Sequence, residues 1–269
     1  MYSKGKKKGV SWMKKTAVDI NCDLGESFGA YKLGQDEEIL KLISSANVAC
    51  GFHAGDPHVM RKTVSLAKEN GVRVGAHPGL PDLVGFGRRA MLVTPSELKD
   101  MFTYQIGALK AFVEAEGMKL QHVIQHGILT RMAEEDESFG RAILESIREV
   151  DPNLLYLTLE GSNLPGMATE MGFKTIRVAF ADRAYGKDKR LVSRKTPGAV
   201  IHDLKQIEKR IEQLVTTESI TTIEGKTLPL QFDSIMLHGD SPGALEITRT
   251  VSGTLKRLGV QVKPMRELV

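Results

Sequence analysis

The chain has 269 residues, 41% hydrophobic and 26% charged, enough for a sizeable core in one large domain or two modest ones. Its formal charge is +4, yet Lys4, Lys6, Lys7, Lys8, Lys14 and Lys15 all crowd into the first fifteen residues, and without those six the body carries −2. That distribution argues against a nucleic-acid-binding surface, and no apolar run approaches signal-peptide or membrane-span length. A soluble, cytoplasmic protein with no nucleic-acid or membrane partner is expected. Residues 1–15 read as a basic flexible tail, with Met13 an alternative start, and 16–269 as one domain.

In chain order, β-branched apolar runs ending in Gly, Asp or His predict seven strands, at 17–25, 45–52, 72–79, 122–127, 154–162, 175–183 and 233–240. Amphipathic segments at 57–71, 95–117, 138–150, 203–215 and 242–259 predict the helices between them. Asp56-Pro57 and Ser241-Pro242 each pair a capping residue with Pro at the first helical position. Thr94 and Glu97 form a capping box, and Gly71, Gly117 and Gly259 stand where helices stop. Strands alternating with helices predict an α/β fold with a parallel sheet, closed into a barrel or doubly wound. Cys22 and Cys50, at strand ends and outside any C-x-x-C spacing, read as small buried thiols.

The chemistry-bearing residues fall at one end of these strands. Asp23 and Glu26 follow the first, His53 and Asp56 the second, His77 the third and His126 the fourth. Glu160 follows the fifth, Asp182 and Arg183 the sixth, His238 and Asp240 the seventh. In parallel α/β folds the carboxyl ends of all strands share the face that binds and reacts. A single histidine there is usually structural, but four on four strands make a site. Carboxylates beside histidines serve as general acid and base or as ligands for a divalent metal, here Asp23, His53, His77 and His126. Aspartates 56 and 240 are also plausible helix caps. Arg88 and Arg89, beside glycines in "GFGRR", suit a carboxylate or phosphate. Neither a P-loop, a dinucleotide fingerprint nor a G-x-S-x-G elbow occurs.

The motifs "DINCDLGE", "SSANVACGFHAGDPHVM", "GVRVGAHPGLPDLVGFGRR", "YQIGALKAF", "FADRAYGKD", "RKTPGAVIHD" and "LHGDSPGA" follow one another along most of the chain. Together they resemble the LamB/YcsF family, the A subunits of prokaryotic ATP-dependent 5-oxoprolinases. The resemblance implies a seven-stranded β/α barrel similar to that of polysaccharide deacetylases. It also implies ATP-dependent opening of 5-oxo-L-proline to L-glutamate with partner subunits B and C, ATP being bound partly on those partners. Alternatives from other classes are a stand-alone metal-dependent C–N hydrolase and a non-catalytic scaffold.

The chain departs from the family pattern around His126, where the usual Lys-Pro-His-Gly-Ala-Leu-Tyr-Asn reads Ile124-Gln-His-Gly-Ile-Leu-Thr130-Arg131. Val178 replaces the family's usual Glu, and Glu160 a small residue. Ile124 and Val178 are expected to face the barrel interior and to replace a buried ion pair together, a change that can be neutral for stability. If the lysine touches substrate, the chain is a divergent paralogue. That outcome is favoured, since Tyr and Asn are lost from the same segment.

Overall fold

The computed structural model describes residues 15–269. The expected basic tail lies outside the described residues except for Lys15. The Lys15 backbone N–H donates to Val215 O at 2.9 Å, and its ammonium meets Glu218 at 3.1 Å.

Strand β1 (Ala17–Leu24) is followed by the single turn α1 (Asp36–Ile39), β2 (Ser45–Ala49), α2 (Pro57–Glu69), β3 (Arg73–His77) and α3 (Pro95–Ala115). The two-residue β4 (His122–Val123), α4 (Leu129–Glu135), α5 (Glu137–Val150), β5 (Leu155–Leu159), α6 (Leu164–Glu170) and β6 (Thr175–Phe180) come next. Helix α7 (Leu204–Thr217) leads into an antiparallel hairpin, β7 (Ser219–Thr221) and β8 (Thr227–Pro229). Then come β9 (Ser234–His238), α8 (Ala244–Arg257) and β10 (Gln261–Val262). Strands β1 to β6 pair in order and in parallel, β6 pairs with β9, and β9 returns to β1, so seven parallel strands close a barrel. Strand β10 adds two pairs at the start of β1.

The seven predicted strands and five predicted helices are all present. Asp56 caps α2 by accepting from His58 N and Val59 N, and the Thr94–Glu97 capping box opens α3. Gly71, Gly117 and Gly259 follow their helices at φ near +70°. One expected cap differs: α8 begins after Gly243, at φ +78°, and not at Ser241. Ser241-Pro242 instead forms the turn before it, in which Ala244 N reaches back to Ser241 O.

Successive side chains along a strand alternate between the barrel interior and the helices. On β1, Val18, Ile20, Cys22 and Leu24 join the apolar core, while Asp19, Asn21 and Asp23 face inward. The interior is divided. Polar residues from β1, β2 and the start of β9 fill one wall. The end of β4 and strand β6 contribute the apolar Ile124 and Val178, each 2% exposed, Val178 being the register partner of Ser234 on the neighbouring β9. Gly75 on β3 leaves room for a histidine: a Cβ there would sit 2.1 Å from the His122 ring.

Asp19 lies fully buried at the bottom of the polar wall, accepting from the Ser44, Ser45 and Ser234 hydroxyls. Burial lifts its carboxyl from 3.8 to about 6, against those three hydrogen bonds. With the folded value above the unfolded one, the unfolded chain releases this proton first, so stability falls as pH rises from about 4 to about 6. Across that window the wild type should lose roughly 3 kcal/mol relative to Asp19→Asn. Urea unfolding of both proteins from pH 4 to 7 measures this, and a pH-independent difference would refute it.

Candidate active site

The strand ends deliver the expected residues to the barrel mouth, where three histidines form one cluster. His53, from the loop after β2, stacks on His126, from the loop after β4, with ring centroids 3.8 Å apart and planes at 4°. His77, the last residue of β3, stands edge-on to both rings. Phe86 packs edge-on against His53 and His126 from the loop after β3, at φ +55°. Backbone shape admits these rings. A Cβ at Gly79 would meet His53 Nδ1 at 2.5 Å, and one at Gly87 would meet both His53 and His126 at 2.8 Å.

The hydrogen bonds of this cluster are unusual. His77 Nδ1 faces Ile124 O at 2.9 Å and His126 Nε2 faces Phe86 O at 2.8 Å, so each ring points its N–H at a carbonyl. The remaining nitrogens, His77 Nε2 and His126 Nδ1, lie 2.9 Å apart. Two neutral rings bring only two protons to three contacts. Burial first, and then the neighbouring His53 and His77 rings, push His126 well below the ordinary histidine range, so that ring favours its neutral form. One added proton between His77 Nε2 and His126 Nδ1 satisfies all three contacts. Asp23 Oδ2 lies 3.6 Å from His77 Nε2.

His53 is 1% exposed, and among the described residues neither of its ring nitrogens has a hydrogen-bond partner; Glu26 Oε1 is 3.9 Å away. Burial, then the His77 and Arg88 charges, keeps it neutral. A buried imidazole without partners is costly, which is the mark of a group that meets a ligand. Glu26 is also buried. Burial first, and then the Asp23, Asp240 and Asp36 charges, raise its carboxyl well above the ordinary range, so it keeps its proton.

A second group faces the first across the mouth. His238 Nδ1 contacts Asp182 Oδ2 at 2.8 Å and stacks on Phe180, and its strand neighbour across the β1–β9 closure is Asp23. Burial raises Asp182, but His238 and the Arg194 and Arg183 charges outweigh it and the carboxyl ends below its ordinary value. The aspartate thus orients the His238 ring through its Nδ1. Asp240 pairs with Arg88 at 2.7 Å and leaves its second oxygen unpartnered.

The arginines divide. Arg88 is at the mouth; Arg183 is buried and spends its guanidinium on the Val192 and Ala199 carbonyls. Arg89 turns aside to Asp82 and lines a shallow pocket with Phe52 and Val84. Arg194, which no strand-end pattern singles out, is half-buried within electrostatic reach of Arg88, Asp240, Asp182 and Asp23. Only its place in "RKTPGAVIHD" could have pointed to it.

A model of the LamB/YcsF family matches residues 18–269. The chain belongs to that family. It is 52% identical over 252 residues to the A subunit of 5-oxoprolinase from Pyrococcus horikoshii, covering 94% of this chain and 99% of the relative. The Clostridium beijerinckii protein of the same name is 51% identical over 251 residues, at 93% and 98% coverage. The lactam utilization protein from Thermus thermophilus has a solved structure that superposes with a TM-score of 0.87 at 42% identity, covering 92% of this chain and 99% of that one. The site just described therefore sits in a LamB/YcsF barrel whose relatives match it along nearly their whole length.

Glu26, His53, His77 and His126 each offer one ligand atom, and all four atoms lie within 4.8 Å of one another, a donor set of the kind that holds a divalent cation. Glu26 takes the place in it that Asp23 was expected to fill. The hydrogen bonding does not fit a four-ligand centre, because the free lone pairs of His77 and His126 point at each other across 2.9 Å. Metal–nitrogen bonds of about 2 Å need lone pairs that converge on a common point outside both rings.

Gly79→Ala tests the cluster, since the atoms nearest to its added methyl all belong to His53. Overpacking of this kind costs about 1–3 kcal/mol, so the variant should still fold, with its unfolding midpoint lowered by a few degrees. A crystal structure should show the His53 ring displaced from His126; an unmoved ring at full stability would contradict the packing described.

Proposed function

We propose that this chain is the A subunit of an ATP-dependent 5-oxoprolinase, which opens the lactam of 5-oxo-L-proline to L-glutamate together with partner subunits B and C. The identity of 52% over 94% of the chain to a protein of that name carries the reading. The proton inventory of the barrel mouth supplies the chemistry.

A five-membered lactam is a stable amide, and ATP makes it reactive by phosphorylating the carbonyl oxygen to give an imidate phosphate. Water adds to the imidate carbon and gives up one proton, which the His77–His126 pair takes up between its facing nitrogens. The ring nitrogen takes one proton from Glu26, which burial keeps protonated; as the C–N bond breaks, the added hydroxyl becomes the carbonyl of the acyl phosphate and its proton passes to the departing nitrogen, and the proton held by the histidine pair returns to Glu26. The product is the acyl phosphate of glutamate, and a second water releases phosphate and glutamate. Arg88 and Arg194 hold anionic groups of the substrate or the transferred phosphate, while Asp182 and His238 form a second acid–base pair on the opposite wall. No residue pattern of a standard nucleotide site occurs in the chain, so ATP is bound partly on the partners.

The family departures have local accounts consistent with a divergent paralogue. Thr130 Oγ1 accepts from Gln125 Nε2 at 3.1 Å and Arg131 pairs with Glu135 at 2.7 Å, so both replacements are used within α4 and its entry. Glu160 is paired with Lys189 at 2.6 Å.

The decisive measurement is glutamate formation from 5-oxoproline by this chain with and without B and C, and with and without ATP. Turnover should require all three proteins and ATP, and activity of the isolated chain without ATP would instead establish a stand-alone hydrolase. Within the assembly, His126→Ala should lower turnover about a hundredfold or more while the barrel stays folded. Undiminished turnover would remove the histidine pair from the mechanism and favour a scaffold role.

A further inference from the structure

Asp23 reaches the mouth at the end of β1 with its carboxylate 3% exposed, and among the described residues it receives one side-chain hydrogen bond, from Asn47 on β2. The Asn47 amide is used completely. Its Nδ2 donates to Asp23 Oδ1 at 2.9 Å and to Asn21 Oδ1 at 2.7 Å, and its Oδ1 accepts from His122 Nε2 at 2.7 Å.

The surrounding groups fix which way that amide points. Burial lowers His122 to about 3, so the ring is neutral and has a single N–H. Its Nδ1 faces Gln121 Nε2 at 3.2 Å, and Gln121 Nε2 also donates to Ser45 Oγ at 3.0 Å, so the His122 proton sits on Nε2. A flipped Asn47 would set N–H against N–H there and oxygen against the Asn21 and Asp23 oxygens. Below Asn47 the chain of donors continues in one direction: Asn21 Nδ2 donates to Ser234 Oγ at 2.6 Å, and the Ser234 hydroxyl donates to the Asp19 carboxylate. Donors aligned toward a buried anion polarise and stiffen one another.

We infer that Asn47 is the positioning residue for Asp23, anchored from the bottom of the barrel through Asn21, Ser234 and Asp19 and from the side through His122. Asn47 touches no reacting atom; it holds the Asp23 carboxylate 3.6 Å from His77 Nε2, in the orientation that the barrel mouth presents. The inference rests on the site's assignment as a lactam-opening centre only for its kinetic consequence, since the geometric one can be read from the chain alone.

The test uses Asn47→Asp, which keeps size and the acceptor for His122 but removes both donors, and Asn47→Ser, which leaves one. Crystal structures of the full-length variants should show the Asp23 carboxylate swung away from His77; an unmoved Asp23 overturns the inference. In the assembled enzyme either substitution should lower kcat about tenfold to a hundredfold with KM little changed. The same substitution in an Asp23→Asn background should then lose nothing further. Equal losses in both backgrounds would mean a merely structural role. An assembly that opens no lactam at all would defeat the functional reading and leave the structures to decide on Asn47. Should neither variant fold, both Asn47 side-chain amide protons in the wild type should exchange slowly by NMR, and rapid exchange would overturn the inference.

Discussion

The closure of β9 onto β1 is the constraint on which the site depends. Five register pairs, from Asp19–Ser234 to Asp23–His238, join the last barrel strand to the first, and they set His238 beside Asp23 although nearly the whole chain separates them. An open sheet of the same strands would leave β1 and β9 at opposite edges, with the two groups of acid and base residues far apart. Closure also forces seven strands to present their inner side chains to one another, so every polar residue inside must find its partner inside. The chemistry at the mouth and the hydrogen-bond network beneath it follow from that requirement.

Burial then assigns the protonation states. Taking imidazoles out of water favours their neutral form and taking carboxylates out of water favours the acid, unless a partner reverses the balance. Among the described residues His53 and His126 have no carboxylate in hydrogen-bond contact and stay neutral; Glu26 sits among other carboxylates and stays protonated; Asp182 has His238 and ionises. The mouth therefore holds neutral imidazoles beside a protonated carboxyl. The same desolvation raises Cys22 and Cys50 far from thiolate formation, which suits inert core thiols.

Much of this was legible in the sequence because the relevant signals are local. Strand-end residues such as His77 and His238 follow β-branched runs, and the Asp56-Pro57 and Thr94-Glu97 signals carry their own hydrogen-bond logic. What stayed hidden depends on distant pairing. Strand β4 keeps only two residues, and His126 reaches the site from the loop beyond it, through a bond from its backbone N–H to Pro78 O. The short helices α1, α4 and α6 are too brief for periodicity to register. Arg89 and Arg88 are adjacent in sequence yet point to different partners, because Asp82 captures one and Asp240 the other. In sequence Asn47 is an ordinary strand residue, since nothing local marks the three groups that converge on it.

The interior is asymmetric for a chemical reason. Along the wall that carries Asp19, Asn21, Asn47 and Asp23, a continuous hydrogen-bonded column runs the height of the barrel, whereas Ile124 and Val178 are apolar. A polar column on one side fixes the direction of the Asp23 charge, and burial keeps water from screening it. Low screening strengthens any electrostatic interaction between Asp23 and His77, whose Nε2 is 3.6 Å from Asp23 Oδ2.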